Sequence, residues 1–411
     1  MPVAGSNIGD RRSPEPSETV WNVSERISVL LPAERCRICQ PPTVREMMDD
    51  KPRPPRVIFS FLSIGHYRRA PMSLIIDHFG SSLQVFAGRF ATDRSIRTLG
   101  PSDLPLHTLP TYSYRDKIVF QIVPFISYLR ADVLVADLNP RALHLWPILV
   151  FRRLLGKRTV LWGAAWPRSG KDSRTTQIRM AMVRLASSTI IYTNKQAEEL
   201  KLAIPGARVT AAPNSLYRES ECGFITGGGR SNFIYVGRIV NEKKVELLID
   251  AFAQVAPKLP GTTLIIIGDG PALSEMRNRV DALGVAELVD FRGHVEDVDE
   301  LRTAYSSCIA AVSPGYVGLS ATQSFSFGVP MIIADTEPHS PEIEAVRPGF
   351  NALYFPSDSA SGLAKAMERM AGERDMWNER GPDISRECCK SYSAEAMAGG
   401  VIRSVETELS F

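Results

Sequence analysis

Between residues 233 and 355, short apolar runs end again and again at a glycine, with helical patterns between them. The runs cover 233–236, 264–270, 289–293, 309–313 and 331–334. Strands that alternate with helices at this rhythm imply a parallel sheet covered on both faces. Ligands of such sheets sit beyond the carboxyl ends of the strands, where these glycine turns fall. That rhythm places any binding chemistry at one end of the sheet.

The first junction is the most informative. The run 233–236 stops at Gly237, Arg238 follows, and Lys243 comes just before a helical pattern at 245–252. A helix start carries unpaired N–H groups and a partial positive charge, which suit an anion. Two added cations make a site for a doubly charged group, most naturally a diphosphate. Lysine and arginine at a helix start are ordinarily solvated; the turns that follow shift the balance. These are Gly268–Asp269–Gly270–Pro271, the loop Pro314–Gly315–Tyr316–Val317–Gly318–Leu319, and Gln323 through Pro330.

In this order the pieces resemble the C-terminal half of retaining, nucleotide-sugar-dependent glycosyltransferases of the GT-B fold, the group-1 (glycogen-synthase-like) superfamily. The matching stretch, from about Phe233 to Phe355, is nearly a third of the chain. The resemblance implies an α/β fold of two Rossmann-like domains with the active site in the cleft between them. It gives Arg238 and Lys243 the donor's diphosphate and sets Gly237 beside it. It lays the backbone of Gly315, Val317, Gly318 and Leu319 against the donor sugar, with the helix that begins near Leu319 pointing its N-terminus at the leaving phosphates.

Two positions depart from the family pattern. Where the superfamily usually has two glutamates, this chain has Gly315 and Gln323. Gln323 still offers an amide donor and a carbonyl acceptor to ribose hydroxyls. Gly315 offers only backbone, which makes Glu342, in Pro341–Glu342–Ile343–Glu344, a candidate to stand in near the sugar. The loop resembles a bacterial surface-polysaccharide branch more closely than the two-glutamate form.

A length of 411 residues suits two domains. Apolar content of 44%, charged content of 23% and a formal charge of +3 describe an ordinary globular protein. Residues 1–53, rich in Pro, Ser, Arg and Glu, read as a disordered extension with an apolar patch at 27–31. Residues 54–222 repeat the strand–helix alternation and read as an acceptor domain, with strands at 57–62, 84–87, 133–136, 158–162, 189–192 and 208–211. A helix is expected at 71–79 and another at 117–129, covering that sheet. Residues 223–230, with three consecutive glycines, form the expected linker, 231–390 the donor domain, and 391–411 a C-terminal segment, helical at 392–406, that the resemblance would return to the first domain.

On the acceptor side, Gly65 and His66 follow the first strand, and Asp137 follows the strand at 133–136. His66 is placed to orient an acceptor hydroxyl or contact the donor, although a lone loop histidine is often no more than that. Trp162 and Trp166 have faces on which a sugar could stack, with a core role equally open. From Arg141 to Arg184 ten Lys or Arg face one acid, Asp172, among many apolar residues. That mixture suits an anionic inner-membrane surface and a lipid-diphosphate acceptor, against the alternative of a solvated basic face. No nucleic-acid-binding module accompanies the charge.

Asp297 and Asp299 have the spacing of a metal pair but stand at a helix start, where capping is the better expectation. No metal and no cofactor beyond the nucleotide-sugar co-substrate is expected. Six scattered cysteines, Cys36 and Cys39 among them, show no disulfide framework, and with no apolar span or apolar leader they point to the cytoplasm, peripheral to the inner membrane face. The expected activity is transfer of a hexosyl group to a glycan or lipid-linked acceptor in exopolysaccharide, capsule or O-antigen synthesis. The alternatives are a catalytically impaired pseudo-enzyme or interaction subunit, and a GT-B sugar-nucleotide epimerase.

Overall fold

The structure, a computed structural model, describes residues 54–411 apart from 90–96, 116, 168–169 and 227–228. The N-terminal stretch 1–53, with Cys36 and Cys39, lies outside the described residues, as does part of the glycine linker. Among the described residues the chain forms two parallel sheets and one hairpin.

The first half supplies β1 (Val57–Phe61), β2 (Leu83–Ala87), β3 (His107–Thr108), a hairpin of β4 (Thr111–Tyr114) and β5 (Ile118–Gln121), then β6 (Val133–Asp137), β7 (Arg158–Gly163), β8 (Ser188–Ile191) and β9 (Val209–Ala211). Its sheet runs β3-β2-β1-β6-β7-β8-β9. The second half supplies β10 (Asn232–Val236), β11 (Leu264–Ile267), β12 (Val289–Gly293), β13 (Cys308–Ser313), β14 (Met331–Ala334) and β15 (Ala352–Phe355), in the order β12-β11-β10-β13-β14-β15. Both orders are those of a doubly wound sheet. Each reverses direction at one point, between β1 and β6 in the first and between β10 and β13 in the second.

Strands such as β11, Leu-Ile-Ile-Ile, are buried on both faces, so they read as continuous apolar runs with no alternation. The core of the second sheet packs under the helix Val245–Val255, whose Leu248, Ile249 and Phe252 are fully buried. The last helix, Ala394–Leu409, sets Met397, Ala398, Val401 and Val405 into the core of the first sheet.

Three expectations are corrected. Residues 117–129 are not one helix: 118–121 form β5, and only Phe125–Arg130 is helical. Val119 and Gln121 face inward while Ile118 and Phe120 face outward, so an apolar outer face hid the period-two signal. Second, Arg152 belongs to no basic surface. It is fully buried, donating to Thr159 Oγ1 and the Ala131 carbonyl, each at 2.9 Å, and to the carbonyls of Tyr128, Asp132 and Arg158. Burial lowers its pKa to about 10. Third, Cys222 and Cys389 form a disulfide across 167 residues of sequence, a separation that no spacing rule reveals. Cys308 is core, and burial pushes its thiol up to about 12.

Candidate active site

Arg238 leaves the carboxyl end of β10, and Tyr316 lies in the loop after β13, so the two stand at the point where the second sheet reverses direction. The Arg238 guanidinium donates to the Tyr316 hydroxyl at 3.2 Å. Lys243 donates to the Tyr316 carbonyl at 2.7 Å, and its ammonium lies 3.6 Å from the centre of the same ring. The Tyr235 hydroxyl fixes the turn by donating to the Arg238 carbonyl at 2.6 Å. Two cations separated in sequence thus converge on one residue.

Close backbone packing shapes the floor. Gly268 has φ +144°, and a Cβ there would fall 1.8 Å from the Gly237 carbonyl oxygen. Ile239 N–H donates to the Asp269 carbonyl at 2.9 Å and Gly237 N–H to that of Ile267 at 3.0 Å, joining the two glycine turns. Gly315 is equally constrained: a Cβ would lie 2.5 Å from the Glu242 carbonyl oxygen and 3.0 Å from the Lys243 Cα. The loop has no room for any side chain at 315, so the missing first glutamate is built into the backbone path.

Two residues that sequence reasoning missed hold this loop and the helix start. His339 accepts from Val317 N–H at Nδ1, 3.0 Å, while Nε2 donates to the Ala334 carbonyl at 3.0 Å. Burial chiefly holds its imidazole below the usual histidine range. Ser340 N–H adds a bond to the Val317 carbonyl. Lys244 adopts a left-handed conformation (φ 53°, ψ 41°) just before the helix Val245–Val255 and pairs with Glu337 and Asp358. Burial alone would lower its ammonium; hydrogen bonds to Asp358 and Glu337 hold it above its ordinary value. No local motif marks these contacts, because apart from Ala334 each partner is a chain segment away.

The remaining residues expected on the donor side have definite positions. Val317 is core, Gly318 packs beside Ser340, and Leu319 opens the seven-residue helix Ser320–Ser326. The Gln323 amide donates to the Tyr217 hydroxyl at 2.8 Å. Glu342, expected as a stand-in for the missing glutamate, is buried and hydrogen-bonded. It is 5% exposed and accepts from the Asn214 amide at 2.9 Å. Its neighbour Glu344 accepts from the N–H groups of Asn194 and Lys195, at 2.9 and 2.7 Å. A carboxylate from the second half therefore caps the helix Asn194–Ala203 of the first.

At the reversal point of the first sheet, Asp137 ends β6 and Gly65 and His66 follow β1. Asp137 accepts from Leu62 N–H at 2.6 Å. Burial raises its carboxyl to about 6, opposed by that hydrogen bond and by the charge of Arg68. Gly65 bridges to Thr98, and His66 N–H bonds the Arg97 carbonyl. From the second half of the chain, Glu296 pairs with Arg97 at 3.2 Å. Its carboxyl is held low chiefly by a hydrogen bond from His294, with the charges of His66 and Arg97 adding to it.

Trp162 is corrected outright: at 1% exposure it is core, edge-on to Phe61, with the Arg68 guanidinium 4.8 Å from its ring. Arg68 also donates to the Tyr192 hydroxyl at 2.7 Å and to Asn214 at 3.4 Å, reaching Glu342 through Asn214. Trp166 is half-buried, donating to Glu199 at 2.8 Å with Lys171 over its ring. Asp297 is a helix cap, accepting from the N–H groups of Asp299 and Glu300.

Two doubly wound sheets in one chain are the architecture of the GT-B fold. Residues 226–383 match the family described as Glycosyl transferases group 1. The exopolysaccharide phosphotransferase SCO2592 of Streptomyces coelicolor is 30% identical over 46% of this chain and 20% of its own length. The lipopolysaccharide core biosynthesis glycosyltransferase LpsE of Rhizobium meliloti is 28% identical over 34% of this chain and 39% of its own. The matches thus span a fifth to two fifths of these relatives. Among solved structures, Anabaena Alr3699/HepE in complex with UDP superposes with a TM-score of 0.64 at 15% identity, covering 86% of this chain and 100% of that one. The apo lipopolysaccharide outer core galactosyltransferase WaaB gives 0.59 at 13%, over 86% and 99%. Among the described residues no helix is long and apolar enough to cross a membrane.

Proposed function

We propose that the protein transfers a glycosyl group from a nucleoside diphosphate sugar to a growing bacterial surface glycan, with the anomeric configuration retained. The convergence of Arg238 and Lys243 on Tyr316, at the reversal point of the donor-side sheet, carries this reading. As the bond from the anomeric carbon to the diphosphate oxygen breaks, these cations offset the charge that builds on the leaving group, in the place a metal would take. The acceptor oxygen bonds to the anomeric carbon on the same face, and its proton passes to the departing diphosphate. Gln323 takes the ribose through its amide oxygen, and the backbone from Gly315 to Leu319 approaches the sugar. His66 and Asp137 lie on the acceptor side.

Anabaena HepE, similar in fold, is seen in complex with UDP and with UDP-glucose, so uridine donors come first in testing. The reading is tested by incubating the chain with UDP- and GDP-sugars and a lipid-diphosphate-linked glycan, and following release of nucleoside diphosphate. Acceptor-dependent release with a retained anomeric centre supports it. Gly315 and the Gln323–Tyr217 bond favour one rival, an impaired enzyme that binds nucleotide without turnover. Tight binding with no release under any acceptor would establish that rival.

A further inference from the structure

Eleven of the eighteen large apolar side chains that are exposed among the described residues lie between positions 112 and 155. So uneven a distribution marks one surface. Its centre is the β4–β5 hairpin, where Tyr112 faces Phe120 and Tyr114 faces Ile118 across the two strands. These four side chains are 41 to 62% exposed, while Val119 and Gln121 between them are buried. The hairpin turns its aromatic face outward.

The surface extends without a break. Val119 pairs in parallel with Ala142, and both are fully buried, so Leu143 shares the outer face with Ile118 and Phe120. Leu143 leads into the helix Leu145–Leu154, which buries Leu145, Ile148, Leu149 and Arg152. A surface helix normally shows polar residues on the opposite side. This one shows Val150, Phe151 and Leu154 there, with Leu154 77% exposed. Phe151 meets Phe125 edge-on at 6.1 Å, which brings in the helix Phe125–Arg130 and its exposed Ile126.

Cations accompany the apolar face. Arg115 and Lys117 stand between β4 and β5, Arg130 ends one helix, and Arg153 sits near the end of the next, all exposed. A second copy of this chain would bring the same cations against one another. An anionic bilayer instead accepts apolar side chains, interfacial tyrosines and cations together. The hairpin is also fixed to the carboxyl end of β1: the Gln121 amide donates to the carbonyls of Phe61 and Leu62, at 3.2 and 3.4 Å. A bilayer against it would lie next to the acceptor side, beside Asp137.

We infer that the β4–β5 hairpin and the outer face of Leu145–Leu154 dock on an anionic lipid bilayer and bring the acceptor end of the cleft to lipid-anchored glycans. This rests on the transfer reading above for its purpose, but the docking is tested separately. The chain is sedimented with vesicles of phosphatidylcholine alone or with about 30 mol % phosphatidylglycerol. Binding to the anionic vesicles only is expected. The double variant Tyr114→Ser with Ile118→Ser should lose roughly tenfold or more in partitioning, because two interfacial side chains are removed. Its circular dichroism and unfolding temperature should match the wild type.

Arg115→Glu with Lys117→Glu, which leaves the apolar face intact, should abolish the preference for anionic lipid. Failure of the wild type to bind, or wild-type partitioning by both variants, would overturn the inference. So would a dimer seen by light scattering that Tyr114→Ser with Ile118→Ser dissociates. Titration with UDP and GDP without vesicles separates the two claims. Nucleotide binding without vesicle binding removes only the docking surface. Vesicle binding without nucleotide binding supports docking and removes only the transferase reading.

Discussion

The ammonium of Lys243 lies 2.7 Å from the carbonyl oxygen of Tyr316 and over the face of the same residue's ring. The lysine precedes one helix and the tyrosine follows the neighbouring strand, so the contact fixes the distance between two loops that frame the site. Gly315, next to Tyr316, makes that approach possible.

Substituting Gly315 should therefore damage more than the local turn. A Cβ must push against the backbone of Glu242 and Lys243, which cannot rotate away as a side chain would. Gly315→Ala is expected to cost about 1–3 kcal/mol of stability, as overpacking generally does. It should also weaken nucleotide binding by displacing Lys243. Chemical denaturation and calorimetric titration check both; unchanged values would mean that the loop gives way freely.

Glu344 ties the two halves by capping a helix that begins 150 residues earlier in the chain. Glu344→Ala should cost about 0.5–2 kcal/mol, the usual range for a lost N-terminal cap. Glu344→Gln, which keeps an acceptor oxygen, should cost less. Small-angle scattering should show the alanine variant sampling wider separations of the halves. Identical curves and unfolding midpoints would leave the cap without energetic importance.

Two groups poorly reached by water titrate in opposition. Burial lowers His144 to about 4 from its ordinary 6.5, and its Nδ1 accepts from Gln121 N–H at 3.2 Å. Its contribution to stability is present above pH 6.5 and is lost as the pH falls through about 4. Asp137, raised to about 6 from 3.8, contributes below pH 3.8 and loses that contribution as the pH rises through about 6. Between pH 6.5 and 4 the two slopes largely cancel, each being on the order of 3 kcal/mol in full. Asp137→Asn should make the protein more acid-sensitive across this window, and His144→Gln should make it gain relative stability as the pH falls. Urea midpoints at pH 7, 5.5 and 4.5 measure both slopes; parallel curves for all three proteins would contradict the assignment.

Most of the second sheet was legible because β10, β11, β13 and β14 are largely buried, mainly apolar runs closed by a turn residue. β12 and β14 fall where the sequence placed them and β10, β11 and β13 within a few residues, whereas β15 was not expected. The β4–β5 hairpin was not legible, since its exposed side is as apolar as its buried one. Arg238 and Lys243 stood out through their junction, whereas His339, Lys244 and Glu344 act through partners that only folding brings near. Trp162 and Glu342 were visible as residue types but not as buried ones. A strand end can turn a side chain into the core or into the cleft, and composition does not distinguish the two.

The central claim is that Arg238 and Lys243 together hold a diphosphate. Its most direct test is calorimetric titration of UDP and GDP into the wild type and into Arg238→Ala and Lys243→Ala, followed by turnover with the matching sugar donor. Each variant should lose on the order of 2–4 kcal/mol of transition-state stabilisation, as seen when a charge-stabilising contact is removed. Nucleotide affinity should fall as well, while the unfolding midpoint stays near that of the wild type. Wild-type affinity and turnover in both variants would contradict the account.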